Sequence, residues 1–387
     1  MPETLHGLCA GIPNNRINIM NIPFVDLKTQ YQSIRQQIDT AIQQVITETA
    51  FIGGNHVKTF EQNFITKYNV KHCIGCANGT DAIYILLKML GVGPGDEVIT
   101  TACSWISTSE TIGQTGAIPV FVDIEPNYYT IDVDRIEEKI TSRTKAIIPV
   151  HLYGQMVDIE AITRLCEKHG LYLIEDCAQS HFSQYKERNA GTWGIAGTLS
   201  FYPGKNLGAY GDAGAIITND DKLAEKCRMY ANHGALVKHQ HQIEGINSRL
   251  DGLQAAILNA KLPYIGQWTE QRIANAAVYD EYLKNIPSIK TPKVRNGSRH
   301  TFHLYVVLAE RRNELAAFLK QKGIETAIHY PTPLPFLPAY KHLSGTPQDF
   351  PIAARYQNQI LSLPMYPELT KEAIQYVSQC VAEFYQK

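Results

Sequence analysis

Several things this chain does not have narrow what it can be. No stretch of about 18 apolar residues occurs, so no membrane-spanning helix is expected. There is no run of like charges and no basic excess, 36 Lys and Arg standing against 37 Asp and Glu. A nucleic-acid or anionic-membrane partner leaves such an excess, and neither is expected here. Internal repeats and low-complexity tracts are missing as well. The eight cysteines, at 9, 73, 76, 103, 166, 177, 227 and 380, include only one CxxC (Cys73 and Cys76), with no second pair at zinc spacing. Scattered through apolar segments, they read as buried thiols of a reducing cytoplasm, and no metal site is expected. The opening residues, MPETLHGLCAGIPNNRINI, lack both the charged start and the apolar centre of a signal peptide, and they carry no helical or strand period. Residues 1–21 therefore read as an N-terminal extension, with residues 1–19 dispensable and mobile unless a neighbour pins them.

The chain has 387 residues, 44% of them hydrophobic, enough for two domains. Apolar positions at Ile34, Ile38, Ile42, Val45 and Ile46 predict a surface helix from Gln30 to about Thr47, with a second from Val57 to Tyr68. CIGCANGTDAIYILLKML then reads as strand, small polar turn and apolar helix. Apolar runs at Glu97 to Thr101, Ile118 to Asp123, Ala146 to Leu152, Leu171 to Glu175, Gly197 to Tyr202 and Ala215 to Thr218 read as strands. They alternate with helical stretches at Ser107 to Thr115, Val133 to Ile140, Asp158 to His169 and Asp221 to Tyr230. That alternation predicts an α/β fold with a mainly parallel sheet covered on both faces, whose ligands bind outside the carboxyl ends of the strands. After Arg249 a long helix should end or kink at Pro263, and a smaller α+β region follows. The expected division is a large α/β domain over 22–259 and a small C-terminal domain over 260–387.

Lys205 lies in a Gly-rich turn, SFYPGKNLGAYGDAG (200–214), between two apolar runs. A partly desolvated lysine there could form a Schiff base with a carbonyl such as that of pyridoxal phosphate, although a turn lysine is more often simply solvated. Asp176 ends the strand YLIED at the ligand edge, where a carboxylate could keep a pyridine nitrogen protonated, or could cap a following helix. Gly79 and Thr80 open a helix directly after a strand and could hold a phosphate, or form a plain N-terminal cap. Ser200 offers a second hydroxyl. Trp105, in the loop after EVITT, could stack on a flat cofactor or belong to the core, and Gln179 could bond a ring hydroxyl. His239 and His241 form an HxH in a polar loop without a carboxylate at ligand spacing, and read as solvated.

NGTDA, GPGDEVI, EDCAQSH, SFYPGKNLGAYGDAG, NSRLDGLQAAIL and HYPTP occur in that order. Together they resemble the sugar-nucleotide aminotransferases of the DegT/DnrJ/StrS group, from about Ile22 to the C-terminus. The resemblance implies aspartate-aminotransferase fold type I and pyridoxal 5′-phosphate as cofactor. It implies that Lys205 is the catalytic lysine that carries the cofactor, that Asp176 contacts the pyridinium nitrogen, and that Gln179 contacts the ring hydroxyl. Gly79, Thr80 and Ser200 would hold the phosphate, and Trp105 would take the place of the stacking aromatic. Asn247 would reach the phosphate of a neighbouring subunit, giving a homodimer with shared active sites. Arg249, His329 and Tyr330 fall where the family contacts the sugar nucleotide, although His329 reads equally as an interface histidine.

Some relatives are dehydratases with histidine in place of the lysine, so Lys205 favours amino transfer from L-glutamate to a keto-sugar nucleotide. The product would be an amino sugar for natural products or glycans such as lipopolysaccharide O-antigen. The residues around Lys205 look like the version that aminates a 3-keto sugar. The 4-keto version more often has His-Pro where this chain has Tyr202-Pro203, and Gly-Glu-Gly near Gly211-Asp212-Ala213-Gly214. The resemblance leaves dTDP and UDP both open as nucleotide. A ligand-sensing regulator on the same fold is the reading from a different class, and it would be expected to have lost Lys205 or Asp176.

Overall fold

The computed structural model describes residues 20–386; the expectations for residues 1–19 lie outside them. Two helices, α1 (Leu27–Ser33) and α2 (Arg35–Glu48), stand where one was expected from Gln30. Ile34 leaves helical backbone between them at φ −130° while its side chain stays in the core, so the apolar period continues across a real break. α3 (Gly54–Tyr68) follows and buries Phe60, Phe64 and Tyr68.

The larger sheet has seven strands: β1 (His72–Cys76), β2 (Glu97–Thr101), β3 (Ile118–Val122), β4 (Thr144–Ile148), β5 (Tyr172–Asp176), β6 (Ala196–Ser200) and β7 (Gly214–Thr218). Their order across the sheet is β1-β7-β6-β5-β4-β2-β3. β7 runs antiparallel to both neighbours, and the remaining pairs are parallel. Consecutive residues are buried on opposite faces. Ile99, Ile147, Leu173 and Ile217 pack with α2, α3, α6 (Ile159–His169) and α8 (Gly252–Lys261). Val98, Ile148, Ile174 and Ile216 pack with α4 (Gly79–Met89), α5 (Ser107–Gln114) and α7 (Asp221–Ala231). This double burial is why the strands read as continuous apolar runs.

Two stretches differ from the expected elements. Val133 to Ile140 forms two single 3-10 turns, Val133–Arg135 and Glu137–Lys139, in place of an α-helix. Eight residues with three β-branched members are a poor nucleus for an α-helix. The strand expected from Ala146 to Leu152 stops at Ile148, because Pro149 cannot donate to the ladder.

Past α8, Pro263 sits in a 3-10 turn that separates that helix from α9 (Ile265–Leu283). A second sheet is antiparallel and three-stranded, with β9 (Tyr305–Ala309) between β8 (Ile289–Lys290) and β10 (Ile360–Leu363). It packs with the later half of α9 and with the helices at Arg312–Gln321 and Lys371–Gln386. Ile22 joins this second core, its N–H donating to Gly323 O at 2.8 Å and its carbonyl accepting from Glu325 N at 3.0 Å. Ile22, the first residue expected in the large domain, therefore packs with the C-terminal elements, while Ile34 and Ile38 lie in the large-sheet core.

Candidate active site

Parallel strands place their carboxyl ends along one edge, and the candidate residues converge there. Asp176 is the last residue of β5 and Ser200 the last of β6. α4 begins three residues after β1 ends. A Cβ on Gly79 would lie 2.7 Å from Ser200 Cβ, and a Cβ on Gly214 would lie 2.3 Å from the Asn78 carbonyl carbon. Only glycines allow β6, β7 and the start of α4 to approach so closely. Asn78 caps α4 by accepting from Asp81 N at 2.8 Å, leaving the first N–H groups, those of Gly79 and Thr80, at the open end. Thr80 Oγ1 lies 2.7 Å from Ser107 Oγ, which brings in the first residue of α5. Two helix starts and the Ser200 hydroxyl thus form a cradle suited to a phosphate.

Asp176 is buried and caps no helix. Its Oδ2 accepts from Thr108 Oγ1 at 2.8 Å, and its Oδ1 from Ala178 N at 3.1 Å. The neighbouring Gln179 accepts from Tyr153 N at 2.8 Å and donates to Tyr330 Oη at 2.9 Å. The rings of Tyr330 and the exposed Trp105 lie 5.7 Å apart. His329 Nδ1 is 2.8 Å from Ser362 Oγ, its ring stacks on Phe24, and its carbonyl accepts from Tyr153 Oη.

Lys205 projects from its turn partly covered. Burial lowers its amine to about 8, with the Asp176 carboxylate acting the other way. Three histidines around it are held neutral by burial first, with the Lys205 charge as a further cause: His181 at about 3, His329 at about 4, and His303 well below its usual range. His181 is fully buried, and neither ring nitrogen has a hydrogen-bond partner among the described residues. A lysine that loses its proton near neutral pH beside a fixed carboxylate can move protons at its Nζ.

Asn247 and Arg249 are exposed and are not drawn into this cluster by any hydrogen bond among the described residues. The residue between them is: Ser248 donates to Asp81 Oδ2 at 2.7 Å and accepts from Ala77 N at 3.2 Å, so this segment runs beside the start of α4. His239 and His241 are exposed in a short ribbon after α7.

Sequence does not mark Thr108, Tyr153, Ser248 and His303, since each acts through a partner distant in the chain, nor His181, which is marked only by its burial beside Lys205. Among the described residues, His151, Glu175 and Cys177 lie close enough to share a metal ion. Glu175 already accepts from Gly191, Trp193 and Gly194 N–H groups and pairs with His151 Nε2 at 2.9 Å, while His151 Nδ1 takes Val157 N–H. The group is a satisfied clamp beneath the end of β5. Cys73 and Cys76 are buried in β1, and burial pushes both thiols up, as expected for inert core cysteines.

Residues 32–382 match the model of the DegT/DnrJ/EryC1/StrS aminotransferase family. The chain is 48% identical over 368 residues to the pleiotropic regulatory protein of Geobacillus stearothermophilus, covering 95% of this chain and 99% of the relative. It is 42% identical to the UDP-2-acetamido-2-deoxy-3-oxo-D-glucuronate aminotransferase of Pseudomonas aeruginosa, over 92% of this chain and 98% of the relative. Among solved structures, DesV of S. venezuelae superposes with a TM-score of 0.93 at 38% identity, over 95% of this chain and 99% of that one.

Proposed function

Because the chain belongs to the DegT/DnrJ/EryC1/StrS aminotransferase family, we propose that it transfers an amino group from L-glutamate to C3 of a keto-sugar nucleotide. The observation that carries this reading is Lys205, lowered to about 8 by burial, within the electrostatic reach of the buried Asp176 carboxylate. The C3 position is supported by the residues around Lys205 and by the 3-oxo sugar in the name of the P. aeruginosa relative.

Pyridoxal phosphate is the cofactor of this family, and when bound it supplies an electron sink that weakens the C–H bond beside the transferred nitrogen. The residues present fit it: a cradle of helix-start N–H groups and the Ser200 hydroxyl that only glycine at 79 lets close, a buried carboxylate, and a partly covered lysine within that carboxylate's electrostatic reach. Gly79, Thr80 and Ser200 would hold the phosphate. Asp176, oriented by Thr108, would hold a proton on the ring nitrogen, and Gln179 would meet the ring hydroxyl with its remaining amide hydrogen. Trp105 would cover one ring face. Lys205 would hold the cofactor and, once released, take a proton from carbon on one side and return it on the other.

The sugar nucleotide would lie toward His329, Tyr330 and Arg249, with dTDP or UDP as base carrier. Asn247, exposed next to the start of α4, would serve the phosphate of a second copy, making the working unit a homodimer with shared sites. We place the protein in the cytoplasm on its free cysteines, the seven described ones being buried; no helix of the described residues is long and apolar enough to cross a membrane. We also place the start of the smaller domain near residue 260. α9 spans the junction, with Trp268 in the large-sheet core and Ala276, Tyr279 and Leu283 in the other.

The G. stearothermophilus relative bears a regulatory name, yet the presence of both Lys205 and Asp176 supports catalysis. Absorbance of the purified protein with pyridoxal phosphate tests the reading. A long-wavelength band that glutamate bleaches supports it, and Lys205→Ala should lose both band and turnover. A wild-type protein that takes up no cofactor, or a Lys205→Ala variant with full activity, contradicts it.

A further inference from the structure

The turn that carries Lys205 is held from two directions. From the large-domain side, Lys261 donates to Gly208 O at 2.8 Å and Gln254 accepts from Tyr210 N at 2.9 Å. The other hold is on Asn206, the residue next to Lys205, and it comes from the segment entering β9. Asn206 Nδ2 donates to Thr301 O at 3.1 Å, and Asn206 Oδ1 lies 3.2 Å from His303 Nδ1. An amide oxygen only accepts, so the hydrogen must be on His303 Nδ1, and the tautomer of the ring is set.

That segment is itself anchored. Thr301 N donates to Gly154 O at 3.2 Å, next to the Tyr153 N–H that fixes Gln179. The buried Arg272 donates through Nη1 to the carbonyls of Phe302, His303 and Met365.

We propose that His303 is a positioning residue for Lys205, acting through its Nδ1–H bond to Asn206, so that the lysine is aimed correctly only when the 301–303 segment is docked on the turn. This rests on the aminotransferase reading above. A neutral ring is what the arrangement needs. Lys205, Arg272, His329 and His181 all face His303 as charges or potential charges and, with burial, keep it from gaining a second proton. On its other side the ring offers an Nε2 with no hydrogen bond among the described residues, so the only polar restraint His303 places on the turn runs through Nδ1.

A double-mutant cycle tests this. His303→Ala, Asn206→Ala and the pair are compared by kcat, by KM for both substrates, and by the rate at which Lys205 of the cofactor-free full-length protein captures pyridoxal phosphate. Each single change should lower kcat and the capture rate by roughly 10- to 100-fold with little change in KM, as expected for a misaimed group. The pair should be no worse than the worse single, because both act through one bond. His303→Asn, whose amide nitrogen can stand in for Nδ1, should recover most of the rate, and His303→Gln should not.

Additive effects in the cycle, or equal behaviour of the Asn and Gln variants at unchanged thermal midpoints, would overturn the proposal while leaving the aminotransferase reading intact. A wild-type chain that captures no pyridoxal phosphate would overturn both. Should the alanine variants unfold, the comparison of His303→Asn with His303→Gln decides alone.

Discussion

Thr108 donates to Asp176 across 2.8 Å, and the two residues come from different elements, one in the first turn of α5 and the other at the tip of β5. With the Ala178 N–H on Oδ1, this bond fixes both oxygens of the carboxylate. Thr108→Val keeps the shape and removes the donor, leaving one oxygen of a buried charge short of a partner. The cost should be about 1–3 kcal/mol of stability, and pyridoxal phosphate should bind roughly 2- to 12-fold more weakly if half of that falls on the bound state. Denaturant titration and a cofactor titration measure the two effects.

Lys205 should give the protein a basic-side signature. An unfolded lysine keeps its proton to about 10.5, whereas the folded chain releases it from about 8. The folded state binds fewer protons at this residue between these limits, so Lys205 contributes a gain in stability as the pH rises from 8 toward 10.5, set against the opposite contribution of the buried thiols, which burial raises. Below 8 it bears the full cost of the covered ammonium. The rate of cofactor capture should climb about tenfold per pH unit toward 8 and then level off, because only the neutral amine reacts. Lys205→Met should remove the share of Lys205 and leave that of Lys261, which burial also lowers to about 8.

Gly79→Ala would set a methyl group 2.7 Å from Ser200 Cβ, closer than carbon atoms pack. The start of α4 must then separate from the end of β6, which opens the phosphate cradle. Cofactor affinity should fall by roughly tenfold or more, about the loss of one charge-assisted hydrogen bond. Pyridoxal without its phosphate should lose far less, and a calorimetric comparison of the two ligands reads this directly.

His181 has both ring nitrogens buried without hydrogen-bond partners among the described residues, and burial holds it at about 3. The unfolded chain protonates it near 6.5 and the folded chain does not, so it costs stability increasingly as the pH falls below 6.5. His181→Leu replaces an unpaired polar ring by an apolar group. In cofactor-free form the variant should be at least as stable as wild type at pH 7, with a margin that widens toward pH 5 in urea melts.

Much of this was legible in the residues. The alternation of short apolar runs and helices gave the doubly covered sheet, because buried parallel strands carry apolar side chains on both faces. Asp176, Ser200 and Gly79 stand at strand ends or helix starts and Lys205 in a Gly-rich turn between two strands, and those are the positions local pattern marks best. Other features depended on packing that no local pattern records. The break at Ile34 is hidden by an apolar period that runs through it, and Val133 to Ile140 has helical spacing without the length to nucleate. Thr108, Tyr153, Asn206 and His303 matter only through partners 68, 26, 95 and 97 residues away. Asn247 and Arg249 are exposed in the single chain, and the motif match alone indicates what they reach.

The most direct test of the central claim is to incubate the protein with pyridoxal phosphate, L-glutamate and matched 3-keto and 4-keto sugars linked to dTDP or UDP, and to locate the new amine by NMR. An amine at C3, formed with stoichiometric 2-oxoglutarate, is the expected result. An amine at C4, or no amine from any of these sugars in protein that carries the cofactor, would contradict it.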